Sequence, residues 1–214
     1  MSLSRAQALQ NTLTPKDDLY KGLQAACEAC QAGISRCHFI SYQKDGALIE
    51  ELFSRDGSGT LLGQQDYEAI RLATIDDVGG IIELIAPLEN DGVLVKRSRE
   101  LLEREITCFT VVERDGSVIA CAALYPFADG VSGELACVVT HPDYRKGHRA
   151  ANLLTHIEKQ AAELKLQKLF VLTTQTAHWF IEQGFQPSQL DALPQEKQQL
   201  YNLQRNSKIF VKIL

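Results

Sequence analysis

The sequence predicts a mixed α/β domain of the α+β class, in which helices flank a central mixed sheet. Three features lead to this prediction: apolar residues recur at helical spacing in several segments, a turn at Asp115-Gly116 joins two strand-like runs, and residues 133–154 change from strand to loop to helix. Hydrophobic residues make up 45% and charged residues 23% of the 214 residues, which is the balance of an ordinary globular protein.

In the first part of the chain, the sequence predicts only a few short helices and strands. An amphipathic helix ends at Gly33, and a turn at Gly46 precedes a second helix. The strand-like run over 60–62 has no obvious partner in the sequence, so this part looks too small to close a core. We therefore expect residues 1–65 to be the end of a larger domain plus a linker, and residues 66–214 to form a second domain. The predicted elements are helices over 17–32 and 47–53 and strands over 37–42 and 60–62.

The second domain begins with a helix whose start is marked in the sequence. Thr74, with Asp77 three residues later, has the form of a capping box, and Ser98 is the expected cap of the next helix. A hairpin follows, because the Asp115-Gly116 dipeptide favours the tight turn that joins two strands. The predicted elements are helices from 75, over 99–105, from 150 and over 177–183, and strands over 107–112, 117–124, 135–140, 168–174 and 208–214.

The unit at residues 133–154 contains a basic loop before a helix. Arg145, Lys146, His148 and Arg149 lie between a short apolar strand and a helix that starts near Ala150. Unpaired N–H groups and the positive end of the dipole make a helix N-terminus suitable for a phosphate or pyrophosphate. The positive charge of this cluster also contrasts with the formal net charge of -5 of the whole chain. The alternative interpretation is a solvated surface loop that binds nothing.

Composition argues against several other classes of function. The acidic balance argues against a nucleic-acid partner, and no apolar run approaches the length of a membrane span. The N-terminus does not have the form of a secretory signal, so we expect a cytoplasmic protein without a membrane partner. The six cysteines lie in apolar contexts and are expected to be reduced. Cys27 and Cys30 form a single C-x-x-C without a second pair, so we expect no metal site.

A resemblance to a known family begins at the basic loop. The run Arg145-Lys146-Gly147-His148-Arg149-Ala150 resembles the Arg/Gln-x-x-Gly-x-Gly/Ala loop of the GNAT superfamily of N-acetyltransferases, with His148 at the central glycine position. The resemblance implies the GNAT acyl-CoA N-acyltransferase fold and acetyl-CoA as cosubstrate, with its pyrophosphate on this loop. The residues that it assigns to the coenzyme are Cys137, Val138, Val139, Arg145, Lys146, Gly147, His148, Arg149, Ala150 and Phe180.

A narrower resemblance covers nearly all of residues 66–214. The segments 169–174, 177–180 and 200–202 look like the acetyltransferase domain of the bacterial N-acetylglutamate synthase family, which catalyses the first step of arginine biosynthesis. The resemblance implies that the α-amine of L-glutamate accepts the acetyl group.

This second resemblance also assigns roles to individual residues. It implies that Glu134 is the general base and that Thr173 protonates or orients the leaving thiolate, with Tyr201 as the alternative acid. It places Arg97, Arg205 and Ser207 in the glutamate site. Glutamate carries two carboxylates, and a selective site for it requires cations placed for charge-assisted contacts.

A third resemblance concerns the first part of the chain. Residues 46–60 are similar to the closing segment of the amino-acid kinase fold in arginine-regulated acetylglutamate kinases and synthases. It implies that residues 1–65 are a remnant of such a domain and that Glu51 and Gly57 belong to an arginine site. It also implies L-arginine as an effector of the full-length protein, which we expect to be a homo-oligomer. A glycine-bearing turn after an ordinary helix explains the same residues without a ligand.

Three alternatives stay open at this point. The chain is a GNAT enzyme for another amino acid or amine, or a regulatory module that binds arginine or acetyl-CoA without turnover, or an enzyme in which Cys137 first takes the acetyl group. The covalent route is disfavoured, because no histidine or cation stands beside Cys137 in the sequence to activate its thiol. We therefore expect direct attack in a ternary complex.

Overall fold

The computed structural model describes residues 1–54, 57–63, 68–145, 147–201 and 207–214. They divide into two compact units, Met1–Ala69 and Ile70–Leu214. The boundary that we predicted after residue 65 falls within 64–67, outside the described ranges. None of the helices in the described ranges has the length and hydropathy that a membrane span requires.

The first unit contains helices and a two-stranded antiparallel sheet. Its elements are α1 (Leu3–Gln10), α2 (Asp18–Gln31), β1 (Arg36–Phe39), α3 (Ala47–Phe53) and β2 (Thr60–Gly63). β1 pairs with β2, from Arg36 opposite Gly63 to Phe39 opposite Thr60. The expectation that the strand over 60–62 has no partner was therefore wrong. The pairing lacks a hairpin signal in the sequence because α3 separates the two strands.

A small core holds this unit together. Ala6 of α1, Leu23 and Cys30 of α2, and Leu62 of β2 are each at most 1% exposed and belong to one apolar cluster. The sequence did not predict α1, so it also did not predict that a core would close here. The Cys30 thiol lies 3.9 Å from the Cys37 sulfur, and the two cysteines do not form a disulfide.

The second unit is built on a seven-stranded mixed sheet. Its strands are β3 (Glu68–Leu72), β4 (Phe109–Arg114), β5 (Ser117–Pro126), β6 (Ser132–Thr140), β7 (Lys168–Thr173), β8 (Gln186–Ser188) and β9 (Lys208–Ile213). Its helices are α4 (Val78–Asn90), α5 (Arg99–Glu105), α6 (Arg149–Glu163), α7 (Ala177–Glu182) and α8 (Gln195–Gln199). The strand order is β3-β4-β5-β6-β7-β9-β8. β6 and β7 run parallel, whereas β4–β5, β5–β6, β7–β9 and β8–β9 are antiparallel, which confirms the predicted mixed sheet.

Helices cover both faces of the central strands. In β5, Ala120, Ala122 and Leu124 pack in one cluster with Leu153 and Ile157 of α6. The alternate residues Cys121 and Ala123 belong to a second cluster on the other face, with Val78, Ile81 and Ile85 of α4 and Leu102 of α5. A strand covered on both sides has apolar residues at every position, which explains the continuous run 119–124 in the sequence.

The predicted capping box is present at the start of the α4 region. The Asp77 carboxylate accepts from the Thr74 N–H at 2.7 Å and from its hydroxyl at 3.1 Å. Arg71 of β3 adds a bidentate pair to the same carboxylate, at 2.7 and 2.8 Å, and also binds Glu113 of β4. Hydrogen bonds from Arg71 are the main cause that lowers the pKa of Asp77 to about 2. The network therefore connects β3, at the edge of the sheet, to the start of α4.

Asp77→Asn is expected to lower the free energy of unfolding of the second unit by about 2 kcal/mol near neutral pH, since one pKa unit corresponds to about 1.4 kcal/mol. The folded-state pKa is depressed from 3.8, so this stabilisation is complete above that value and is lost as the pH falls towards 2. Urea unfolding followed by the fluorescence of Trp179, the single tryptophan, reports on the second unit.

The difference between the wild type and Asp77→Asn should shrink as the pH drops from about 5 to about 2. Asp76→Asn is the matched control, because Asp76 is exposed, and it should change stability by less than about 0.5 kcal/mol. A difference that is the same at every pH would contradict this account of the Arg71–Asp77 pair.

Two irregularities open the sheet beside β6. The pairing with β7 runs from Ser132 opposite Lys168 only to Glu134 opposite Phe170, although both strands continue. On the other side of β6, the register with β5 shifts between Cys121 and Ala123, because β6 advances by three residues where β5 advances by two. This bulge includes Cys137, whose φ is +50°. A bulge bends a strand away from its neighbour, so the second halves of β6 and β7 separate.

Candidate active site

A cavity of about 820 Å³ lies where β6 and β7 separate. Its wall comes from these two strands, the segment after α4, the start of α6, and α7. Lys197, Leu200, Tyr201 and Ser207 complete the described part of the wall. Ten of the residues predicted from the sequence line it: Arg97, Glu134, Cys137, Val138, Val139, Arg145, Ala150, Thr173, Phe180 and Ser207. The fold therefore brings residues that are more than 100 positions apart to one site.

Glu134 stands at the last paired position of β6 and faces this cavity. Its carboxylate Oε2 lies 2.6 Å from Nζ of Lys197, which is in α8. The Glu134 side chain is 13% exposed and that of Lys197 is 22% exposed, so the ion pair is largely shielded from solvent. A shielded carboxylate beside a cation is a suitable base for an amine that enters the cavity.

Arg97 lies in the segment between α4 and α5 and is partly buried. Its N–H donates to Glu89 at 3.0 Å, and its guanidinium donates to the Val95 carbonyl at 3.0 Å. The guanidinium also interacts with the Tyr125 hydroxyl, which donates to Glu105 at 2.8 Å. Burial lowers the pKa of Arg97, but its neighbours raise it more, so its pKa lies above the ordinary value. The guanidinium is therefore a fixed cation on the cavity wall.

Cys137 occupies the bulge of β6 and is 4% exposed. Burial is the main cause that raises the pKa of its thiol to about 11, although Arg97 acts in the opposite direction. A thiol with this pKa is protonated at neutral pH and is a weak nucleophile. Beyond Glu134, β6 has no ladder with β7 in the described structure, so backbone groups of 137–139 on that side face the cavity.

The basic loop lies at one end of the cavity, because Arg145 and Ala150 line it. Gly147 and His148 both have positive φ angles, +98° and +60°, and α6 starts directly after them. The His148 side chain, at the N-cap of α6, makes no capping hydrogen bond there. A helix N-terminus of this kind is a suitable place for an anion. Arg149 is turned back onto the loop, where it donates to the Tyr144 carbonyl at 3.1 Å and lies over the Tyr144 ring.

His148→Gly is expected to stabilise the loop by about 1 kcal/mol, because a left-handed φ costs a side-chain-bearing residue about that much. His148 is exposed, so we expect the KM for acetyl-CoA to change by less than about tenfold. Thermal unfolding and initial rates at varied acetyl-CoA measure the two effects.

Gly147→Ala is the matched control for this substitution. Its φ of +98° is unfavourable for alanine, and a Cβ there would lie 3.1 Å from Nη1 of Arg149, so stability should fall and KM should rise. A rise of more than tenfold in the KM for acetyl-CoA in His148→Gly would show that the imidazole itself contacts the coenzyme.

The two candidate acids both have their hydroxyl groups engaged. Thr173, at the end of β7, donates to the carbonyl of Gln175 and accepts from its N–H at 3.2 Å. Tyr201 donates to the carbonyl of Ser207, which is 7% exposed. Both hydroxyls line the cavity, and the choice between them stays a prediction.

Aromatic side chains of α7 form another part of the wall. Phe180 is 4% exposed and packs edge-on against Trp179 and Phe185, with ring centroids 4.9 and 5.5 Å apart. Trp179 is partly buried against the main core cluster and also lines the cavity. Phe180 therefore joins the cavity wall to the core.

The remaining predicted residues lie elsewhere. Lys146 and Arg205 fall outside the described residues, and Gly147, His148 and Arg149 form the loop beside the cavity. In the first unit, the Glu51 carboxylate accepts from the N–H groups of Ser58 and Gly59, both at 2.7 Å, and pairs with His38 at 2.5 Å.

Glu51 and Gly57 lie against each other in this turn. A Cβ on Gly57 would lie 2.4 Å from the Glu51 carboxylate, and its φ is +64°, so only glycine fits there. In the described part of the chain, no three His, Cys, Asp or Glu side chains come together as a metal site.

Sequence reasoning missed two sets of functional neighbours. The pairing of Lys197 with Glu134 joins residues 63 positions apart and has no local signature. Glu105 and Tyr125, which support Arg97, come from α5 and β5, and only the packed sheet brings them together.

Known proteins are similar to this chain in sequence and in fold. The model of the acetyltransferase (GNAT) family matches residues 78–185. The chain is 59% identical over 192 residues to the amino-acid acetyltransferase of Pseudomonas syringae pv. tomato (strain ATCC BAA-871 / DC3000), covering 90% of this chain and 44% of that protein. It is 59% identical over 197 residues to the amino-acid acetyltransferase of Azotobacter vinelandii (strain DJ / ATCC BAA-1303), covering 91% and 46%.

A solved structure also matches along the whole chain. The N-acetylglutamate synthase from Neisseria gonorrhoeae, complexed with coenzyme A and L-arginine, gives a TM-score of 0.82 at 36% identity, covering 100% of this chain and 48% of that one. The same enzyme complexed with coenzyme A and N-acetyl-glutamate gives 0.68 at 37% identity, covering 100% and 50%. The chain thus spans about half the length of the relatives that it matches.

Proposed function

The chain belongs to the acetyltransferase (GNAT) family, and from this premise we propose that it transfers the acetyl group of acetyl-CoA to the α-amine of L-glutamate. The observation that carries the proposal is the single cavity that is lined by Arg145 and Ala150, by Glu134, and by Arg97 and Ser207. An anion site, a base and an acceptor site are what a ternary complex of these two substrates requires.

The coenzyme is assigned to the end of the cavity at the basic loop. N–H groups at the start of α6 and the side chains of Arg145 and Lys146 are proposed to hold the pyrophosphate. Phe180 is proposed to contact the pantetheine arm. The similar Neisseria gonorrhoeae enzyme was solved in complex with coenzyme A, which supports this assignment.

The substrate L-glutamate is assigned to the part of the cavity away from the basic loop. Arg97 offers a guanidinium held in place by the Val95 carbonyl and Tyr125, while Glu89 accepts from the Arg97 backbone N–H. Together with Arg205 and Ser207 it is proposed to bind the carboxylates of glutamate. Two cations for two carboxylates favour glutamate over amines that lack a second acidic group.

The proposed reaction is a direct transfer. Glu134 takes a proton from the ammonium group of glutamate, directly or through a water molecule. The free amine attacks the thioester carbonyl, so that a C–N bond forms and the C–S bond breaks. N–H groups of 137–139 donate to the carbonyl oxygen as negative charge develops there. The leaving thiolate receives a proton from Thr173 or Tyr201, and the proton that the nitrogen loses when the amide forms returns to that hydroxyl through solvent.

Cys137→Ala is expected to keep most of its turnover, with kcat within about fivefold of the wild type, because its thiol is protonated and buried. Initial rates at saturating acetyl-CoA and glutamate measure the effect. A loss comparable to that of removing the general base would instead support a covalent acetyl-cysteine route.

The first unit is proposed to serve regulation. We infer from the arginine-bound Neisseria gonorrhoeae structure that L-arginine is an effector of the longer protein, which we propose to be cytoplasmic and homo-oligomeric. The engaged Glu51 carboxylate is proposed to shape the turn at Gly57–Gly59, so that neighbouring groups of this unit contact arginine.

The acceptor is tested by acetyl-CoA-dependent thiol release from the purified chain. L-glutamate is compared with aspartate, glutamine, lysine and no acceptor at equal concentration. Release confined to glutamate supports the proposal. Release with another amine identifies a different acceptor, and coenzyme binding without release on any acceptor favours a regulatory module.

A further inference from the structure

Lys197 is a charged residue of the cavity to which neither the resemblance nor the proposed reaction gives a role. Its Nζ lies 2.6 Å from Oε2 of Glu134, and both side chains line the cavity. Resting on the proposed function, we propose that Lys197 is a positioning residue that holds the Glu134 carboxylate ionised and turned towards the acceptor amine.

The short helix that carries Lys197 is held on several sides. Lys168 donates to the Ala192 carbonyl at 2.9 Å, just before α8, and Gln198 donates to the Leu193 carbonyl at 2.8 Å. Leu193 is 3% exposed and packs against Phe170. Phe170 is the residue opposite Glu134 in the β6–β7 pairing, so one packed cluster fixes both the helix and the strand position of the carboxylate.

Nζ of Lys197 contacts one oxygen of the carboxylate, Oε2. In the proposal, the other oxygen, Oε1, accepts the proton of the acceptor. In the proposed step the proton moves from the acceptor ammonium to Glu134, and Lys197 takes no part in the transfer. A carboxylate that is shielded from solvent needs such a cation, because burial alone favours its neutral form.

Other titratable groups surround the same cavity, and their charges partly cancel. Arg97 is a further cation, and Cys137 and Tyr125 are held neutral, since burial raises the pKa of each. The remaining groups on the described parts of the surrounding elements are Arg145, Glu89, Glu105 and Tyr201. Lys197 is the cation in direct contact with Glu134 in the described structure, so its removal should change the protonation of that carboxylate most.

The test compares Lys197→Met with Lys197→Arg. Lys197→Met should lower kcat for glutamate by about 10- to 100-fold and move the acid limb of the kcat profile upward by at least about one pH unit. The KM for glutamate should change by less than about threefold, because Lys197 acts on the base and not on the acceptor. Lys197→Arg keeps the cation and should restore the acid limb to within about half a pH unit of the wild type.

Lys212→Met is the matched control. Lys212 is ion-paired with Glu158 at 2.5 Å, both side chains are 24% exposed, and neither residue lines the cavity. Its loss should leave the pH profile unchanged. A rise in the KM for glutamate in Lys197→Met with an unmoved acid limb would overturn the proposal, because it would make Lys197 a ligand of the acceptor carboxylate.

A readout that does not depend on turnover separates this proposal from the proposed function. In protein labelled with 13C at the glutamate carboxyl carbons, the Glu134 signal is assigned by its loss in Glu134→Gln. The pH at which this signal moves should be higher in Lys197→Met than in the wild type by at least about one unit. Equal values would overturn the role of Lys197, whereas a wild type that acetylates no acceptor would overturn only the proposed function.

Discussion

Glu134→Gln is expected to lower kcat for acetyl transfer to glutamate by about 10²- to 10⁴-fold, because a glutamine amide cannot take the proton of the attacking amine. The change is almost isosteric, so the carboxamide still fits beside Lys197. The KM for acetyl-CoA should stay within about threefold of the wild type, since the pyrophosphate loop is untouched. Initial rates at saturating concentrations of both substrates measure the effect.

Glu158→Gln is the control for this substitution, because it also removes the charge of an ion-paired glutamate of the second unit. Glu158 belongs to α6 and does not line the cavity, so kcat should stay within about twofold of the wild type. If the carboxylate is the base, the kcat of Glu134→Gln should rise with pH, because a higher pH supplies the free amine without the help of Glu134. Near-normal turnover in Glu134→Gln would assign proton removal to another group.

Arg97→Ala is expected to lower kcat/KM for glutamate by about 10²-fold or more, because truncating one partner of a buried charge pair leaves a carboxylate of the substrate unpaired. Most of the loss should appear in the KM for glutamate, with the KM for acetyl-CoA nearly unchanged. Arg97→Lys keeps the charge but loses the planar fork, so an intermediate loss of about tenfold is expected. Initial rates at varied glutamate give these values.

Arg99→Ala is the control for Arg97. The Arg99 side chain is 62% exposed and forms a surface pair with Glu103 in α5 at 2.9 Å, so its removal should leave glutamate kinetics within about twofold of the wild type. An equal loss of kcat/KM for aspartate, glutamine and glutamate in Arg97→Ala would show that the guanidinium supports the fold of the cavity and does not select the acceptor.

The predictable part of the fold has strong local signals. The Asp115-Gly116 turn joins β4 and β5 as expected, with φ angles of +53° and +78° that this dipeptide tolerates. The capping box at Thr74 depends on a spacing of three residues and is present in the structure. In contrast, β2 pairs with β1 across an intervening helix, and no local pattern reports such a pairing.

The candidate site likewise has a part that the sequence could predict and a part that it could not. The motif loop and the strand before it are contiguous in sequence, so a resemblance was sufficient to propose Arg145, Ala150 and Glu134. The resemblance gave no reason for His148 at a glycine position, and its φ of +60° shows that the backbone there keeps the conformation that glycine favours. The support of Glu134 by Lys197 depends on the packing of α8 against the sheet, which spacing along the chain does not encode.

One turnover with acetyl-labelled acetyl-CoA tests the central claim, direct transfer to glutamate, most directly. The chain is mixed with labelled acetyl-CoA and L-glutamate, quenched in acid, and separated into protein and small molecules. The account predicts that the label appears in N-acetylglutamate and that the protein fraction carries none, with or without glutamate. Label on the protein, or labelled acetyl-CoA left unconsumed in the presence of glutamate, would contradict it.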